Sequence, residues 1–152
     1  METNVFRSAA LFLVLTLALL FAGCVAIPTK NEPAAYTQAI VQDAIRLYNS
    51  EGRQAAIDHY SSEENVDGQW YVFMIDGDGY NIAHYNPEII GRDPSLRVDS
   101  AGNFIGDDIL SATEEGKWVS YVFKNPDTGE ETIKHAWIVR HDGLYFGSGW
   151  HE

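Results

Sequence analysis

The sequence predicts an α+β domain built on one antiparallel sheet. Three observations predict it: apolar residues at helical spacing from Pro33 to Tyr60, a shift to β-formers after Asp67, and turn dipeptides that cut the second part into five strands. The length of 152 residues suits one domain with one core, and 45% hydrophobic residues suffice to build it.

Residues 1–23 read as a targeting segment. Arg7 precedes an apolar run from Ala9 to Ile27, broken only by Thr16 and the Gly23-Cys24 pair. Such a run is a membrane span or a secretory signal. Phe21-Ala22-Gly23-Cys24 resembles the bacterial lipobox, in which cleavage precedes a cysteine that becomes lipid-modified. Phe21 stands where that motif usually has Leu, and Glu2 opposes Arg7 in a thin basic region. The alternative is an uncleaved signal anchor with an incidental Cys24. Residues 24–33, with Pro28 and Pro33, read as a tether, and residues 34–152 as the domain. Either reading places that domain outside the cytoplasm.

Within the domain, Ala39, Ile40, Ala44, Leu47 and Tyr48 share one helix face. Pro33 suits the first turn of this helix, where a missing N–H costs nothing. Gly52 interrupts, and a shorter helix follows through Ala55, Ile57 and Tyr60. Trp70-Tyr71-Val72-Phe73-Met74-Ile75 predicts a central strand buried on both faces. Asp76-Gly77-Asp78-Gly79 is a tight turn that returns Tyr80 to His84 as a hairpin. A long connection then reaches Lys117, with one short helix at Asp107 to Thr113. Strands Lys117–Lys124, Thr132–Arg140 and Leu144–Gly149 are joined by Asn125-Pro126-Asp127-Thr128-Gly129 and by Asp142-Gly143. Propensity leaves the strand order open.

Composition excludes several functions. Ten Lys+Arg against 22 Asp+Glu give a net charge of −12, which argues against nucleic acid and against electrostatic docking on anionic lipid. A single cysteine excludes an intramolecular disulfide, iron–sulfur clusters and Cys-rich zinc sites. His59, His84, His135, His141 and His151 show no metal-ligand spacing, and the expectation is no metal and no cofactor. The Asp76-Gly77-Asp78-Gly79 turn fails as a calcium loop, because Tyr80 and Pro87 fall where oxygen ligands belong. No GxSxG elbow is present and no carboxylate pair stands out, so an enzyme is not expected.

Tyr71-Val72-Phe73-Met74-Ile75-Asp76, Ala83-His84-Tyr85-Asn86-Pro87, Gly116-Lys117-Trp118-Val119-Ser120-Tyr121, Lys134-His135-Ala136-Trp137-Ile138-Val139 and Gly143-Leu144-Tyr145-Phe146-Gly147-Ser148-Gly149-Trp150 occur in that order. In order and spacing they resemble a single Cache domain, the extracellular sensor module of methyl-accepting chemotaxis proteins and sensor kinases. The resemblance implies a PAS-like five-stranded sheet behind a long N-terminal helix. It further implies a pocket between the sheet and the long connection, for small carboxylates, amino acids or other metabolites. In such receptors the segment matching Trp150-His151-Glu152 runs on into a second membrane span. Here the sequence stops, so the expectation is a module without its own signalling domain, acting through a separate membrane partner.

Candidate ligand-binding residues follow from strand alternation and that resemblance. Lys134 lies inside an apolar strand, so it either binds an anion or pairs with an internal carboxylate. Tyr121 and Trp118 fall on opposite faces of the neighbouring strand, so only one accompanies Lys134. His84 ends the second strand and either donates to a ligand or caps a loop carbonyl. Arg92 offers a bidentate fork to a carboxylate, or else pairs with Asp93. Tyr71 is pocket wall or core, and its phenol needs a partner wherever it is buried. The expected function is therefore a membrane-anchored extracytoplasmic module that binds a small carboxylate or amino-acid-like ligand. The competing expectation is an envelope interaction scaffold with no small-molecule ligand.

Overall fold

The computed structural model describes residues 28–152. The signal and Cys24 readings, with residues 24–27 of the expected tether, concern residues outside that range. Helix α1 (Pro33–Glu51) opens with Pro33 in its first turn and stops at Gly52, where φ turns to 89°. Helix α2 (Arg53–Tyr60) follows at once. The five strands are β1 (Phe73–Ile75), β2 (Asn81–Ala83), β3 (Lys117–Lys124), β4 (Glu131–His141) and β5 (Leu144–His151). A short helix α3 (Gly106–Leu110) lies between β2 and β3. The strands form one sheet in the order β2-β1-β5-β4-β3, every neighbouring pair antiparallel. This is the PAS-like α+β architecture the sequence predicts.

One predicted element shrinks. The apolar run from Trp70 to Ile75 enters the ladder only at Phe73. A turn spends its beginning: Asp67 and Trp70 pair with each other in an isolated bridge. Tyr71 and Val72 are nevertheless buried.

The two faces of the sheet are covered differently. Val41, Ala44 and Ile45 of α1 pack on Val72, Met74 and Phe146 of one face. Each of the larger of these side chains contributes roughly 1.5–3 kcal/mol when removed from water, and Ala44 less than about 1. The opposite face carries Phe73, Ile75, Tyr121, Ala136, Ile138 and Tyr145. Its cover is the connection 84–116, which must travel from the β2 edge to the β3 edge, about four strand spacings or 19 Å. That path lies over the sheet, and Ile105 and Ile109 anchor it there. Two 3₁₀ turns shape it, Pro87–Ile89 capped by Asn86 and Pro94–Leu96 capped by Asp93. Asp99 fastens it to the outer edge of β3, its carboxylate accepting from the Val122, Ala101 and Asn103 amides.

Among the described residues no helix is long and apolar enough to cross a membrane.

Candidate functional site

Between the sheet and the connection lies a cleft of about 70 Å³, room for on the order of five water molecules. Phe73 and Ile75 of β1 and Tyr121 and Phe123 of β3 form its floor, and Ile89, Leu96, Val98, Ile105 and Ile109 its cover. Its polar lining is Asn81, His84, Arg92, Asp93 and Arg97. A wider groove of about 630 Å³ runs between α1 and the β4–β5 turn, and several of its polar side chains are engaged with one another or with α1. There His141 bonds Asn49 at 2.9 Å, and the Tyr48 hydroxyl donates to Asp142.

Arg97 is the cation of the cleft. The turn Pro94–Leu96 delivers it inward, where one guanidinium nitrogen, Nη2, donates to the Gly79 carbonyl at 2.6 Å. The other, Nη1, is buried without a hydrogen-bond partner among the described residues. Burial pulls its pKa below the ordinary arginine value, partly offset by Tyr121 and Asp76. A buried guanidinium nitrogen with nothing to donate to is costly unless an acceptor arrives.

Lys134 sits one layer deeper. It is fully buried on β4, and no carboxylate lies within salt-bridge distance among the described residues. The internal ion pair weighed from sequence is therefore absent there. Its Nζ donates to the Tyr71 hydroxyl at 2.7 Å and lies 3.8 Å from the centre of that ring. The rings of Phe73 and Phe123 stand 5.4 and 5.5 Å away. Burial pulls its pKa down from 10.5 to about 7. The lysine stem fits because β5 carries Gly147 and Gly149 on this face. A Cβ on Gly149 would come within 2.6 Å of Lys134 Cε, and one on Gly147 within 2.2 Å of the Phe73 ring.

The remaining candidates divide. His84 lines the cleft, and its Nδ1 accepts from the Asn86 amide at 3.0 Å, so the neutral ring keeps Nε2–H as a donor. The loop group it caps is thus an N–H rather than a carbonyl. Burial, then the charge on Lys134, lowers its pKa to about 3, against the Asn86 bond. Tyr121 lines the floor, and burial raises its pKa. Tyr71 stays outside the lining; it holds Lys134 and packs edge-on to His84 at 4.9 Å. Its phenol is pushed well up by burial. Arg92 lies exposed at the mouth and forms no ion pair with Asp93, whose carboxylate instead caps Ser95. Trp118 points to the other face, against Trp137 at 5.2 Å, and stands away from the cleft. Of the opposed pair, Tyr121 is the one that shares a face with Lys134.

Sequence reasoning missed Arg97. It stands between two apolar residues, Leu96 and Val98, but the irregular connection around it sets no pattern for that to break.

No curated protein matches the chain. Three solved structures share its fold at low identity. A methyl-accepting chemotaxis protein from Vibrio parahaemolyticus is 21% identical over 80% of this chain and 87% of its own, with a TM-score of 0.63. A periplasmic sensor domain of a chemotaxis protein is 21% identical over 75% and 91%, with a TM-score of 0.59. A Cache chemosensory domain described for carboxylic acid recognition is 20% identical over 76% and 90%, also at 0.59. A long helix behind five antiparallel strands is thus a fold shared with chemotaxis sensors. Residues 37–144, from the first turns of α1 to the start of β5, match the family described as Single Cache domain 2, and the chain belongs to that family.

Proposed function

We infer that this domain is an extracytoplasmic sensor module that captures a short-chain carboxylate in the cleft beneath residues 84–116. Single Cache domains are sensory, ligand-binding modules, and one fold relative is described for carboxylic acid recognition. The observation that carries the reading for this chain is Arg97 Nη1, buried, without a hydrogen-bond partner among the described residues, and lining a cleft whose floor and cover are mostly apolar. A carboxylate there satisfies the guanidinium, and a short alkyl tail lies against Phe73, Ile105 and Ile109. The cleft volume limits the acid to a few carbon atoms. Tyr121 and His84 offer further donors, Arg92 attracts the anion at the mouth, and Lys134, held by Tyr71, supplies positive charge from below. Binding is non-covalent. Membrane attachment through Cys24, and transmission to a separate membrane protein, complete the proposal.

The test is calorimetry on the full chain in mild detergent, with acetate, propionate, butyrate, succinate and a set of amino acids. A short monocarboxylate is expected to bind, and Arg97→Ala is expected to weaken it by about 100-fold, the worth of a lost charge-assisted bond. Binding unchanged in Arg97→Ala removes the assignment of that residue. A folded protein that binds none of these acids leaves the interaction scaffold as the better reading.

A further inference from the structure

Lys134 is a buried cation for which the described part of the protein provides no counter-charge. Every group that faces it is neutral. Tyr71 comes from the segment before β1, Tyr121 from β3, His151 from β5 and His84 from the segment after β2. His84 and His151 are held neutral down to about pH 3 and pH 4 by burial and by Lys134 itself, and both tyrosines are raised by burial. Tyr85, stacked on His84, is raised as well. Arg97 lies beyond Tyr121 and keeps its charge throughout. Between pH 6 and 9, Lys134 is therefore the one group of this layer that changes charge.

Phe73 and Phe123 both pack on Lys134 and line the cleft, so a single layer of rings separates the ammonium from an anion bound there. Little water intervenes to screen the pair.

We propose that Lys134 makes anion capture proton-coupled: a carboxylate entering the cleft draws a proton onto the Lys134 amine. The coupling rests on the carboxylate reading above and adds to it a response to pH. The sign follows from linkage. Unoccupied, Lys134 is half protonated near pH 7. An anion favours its charged form, so occupancy moves that midpoint upward. Below the free midpoint the site is already charged, and affinity is flat. Above it, affinity falls by up to tenfold per pH unit until the occupied midpoint is reached. The sensor answers to the product of acid and proton, and reports the same acid more strongly in an acidified surrounding.

The experiment is calorimetry of the full chain with propionate at pH 8, in HEPES and in Tris, whose ionisation heats differ. Propionate stays ionised at this pH, so any proton taken up is taken up by the protein. A positive fraction of a proton per propionate is expected, together with an affinity at least threefold weaker at pH 8.5 than at pH 6.5. Lys134→Met is expected to abolish both, and Lys134→Arg to keep binding while removing the uptake. Propionate binding with no proton uptake by the wild-type chain overturns the coupling and leaves the carboxylate reading standing. The same uptake in Lys134→Met assigns the proton elsewhere and also overturns it. No binding at any pH overturns both.

Discussion

The two faces of the sheet are built from similar aliphatic and aromatic residues, yet one is covered by a regular helix and the other by an irregular connection. Under α1, Val41, Ala44, Met74 and Phe146 meet in a buried layer in which a helix satisfies its own backbone. Under the connection 84–116, irregular backbone must find partners one turn at a time, through Asn86, Asp93 and Asp99. Side chains end up where those turns put them, leaving Arg97 half-satisfied and Lys134 without a counter-ion. Regular cover meets its own backbone demand and leaves only neutral groups such as Ser148 Oγ without a partner among the described residues, whereas irregular cover leaves an apolar-floored cleft with unmet charge beside it, and the candidate site has both.

Substitutions on the two faces separate these roles. Phe146→Ala, beneath α1, is expected to cost about 4 kcal/mol through the cavity it leaves. Chemical denaturation measures that loss, and ligand affinity of the folded fraction is expected to stay at the wild-type value. Lys134→Met acts in the other direction. The folded-state midpoint of Lys134, about 7, lies below its ordinary 10.5, so the unfolded chain holds the extra proton between those values. Wild-type stability therefore rises with pH through that window, and the full penalty is present below pH 7. The variant is expected to be about 3 kcal/mol more stable at pH 6, with the gain fading towards pH 10, as denaturation at several pH values will record. A destabilised Lys134→Met at pH 6 contradicts the absence of a counter-charge.

Gly149→Ala sharpens the same point from the opposite strand. A Cβ there meets both Lys134 Cε and the His135 carbonyl below 3 Å, and about 2 kcal/mol of overpacking is expected. Thermal denaturation of Gly149→Ala alone and combined with Lys134→Ala measures how much of that cost comes from the lysine stem. The smallest effect belongs to the rim. Leu96 is 60% exposed, so Leu96→Ser is expected to move stability by less than about 0.5 kcal/mol, while weakening propionate binding severalfold.

The legibility of the sequence follows the same division. Strands β3, β4 and β5 match their predicted positions to within two residues, because alternation and the Asn125–Gly129 and Asp142-Gly143 turns mark them independently. Helix α1 is legible for the same reason, through its three-four spacing. The strand at Trp70 was too long, since apolarity persists through a turn that propensity does not register. In the candidate site, Lys134 stands out because a charge inside an apolar strand breaks a pattern, and alternation leaves Tyr121 and Trp118 as alternatives beside it. Arg97 breaks no pattern, since an irregular connection sets none. Arg92 is read from its guanidinium fork alone, which the fold leaves exposed at the mouth. Trp118 was separable from Tyr121 by alternation alone, and only the side facing Lys134 had to be decided by the fold.

The pairing of β1 with β5 governs how the domain comes into being. Phe73 meets Gly147, and Met74 meets Phe146, only once nearly the whole domain is available. Such distant partners make for slow folding, because loop closure precedes the contacts that offset it. Hairpins β1–β2, β3–β4 and β4–β5 close locally, but the last strand alone joins them into one sheet. The hollow that receives the Lys134 stem is made by Gly149 on that same strand. That hollow forms with the local β4–β5 hairpin, but Tyr71 and Phe73 close over the lysine only when β1 pairs with β5, so the desolvation of its charge is expected to follow hairpin formation and to accompany the long-range pairing.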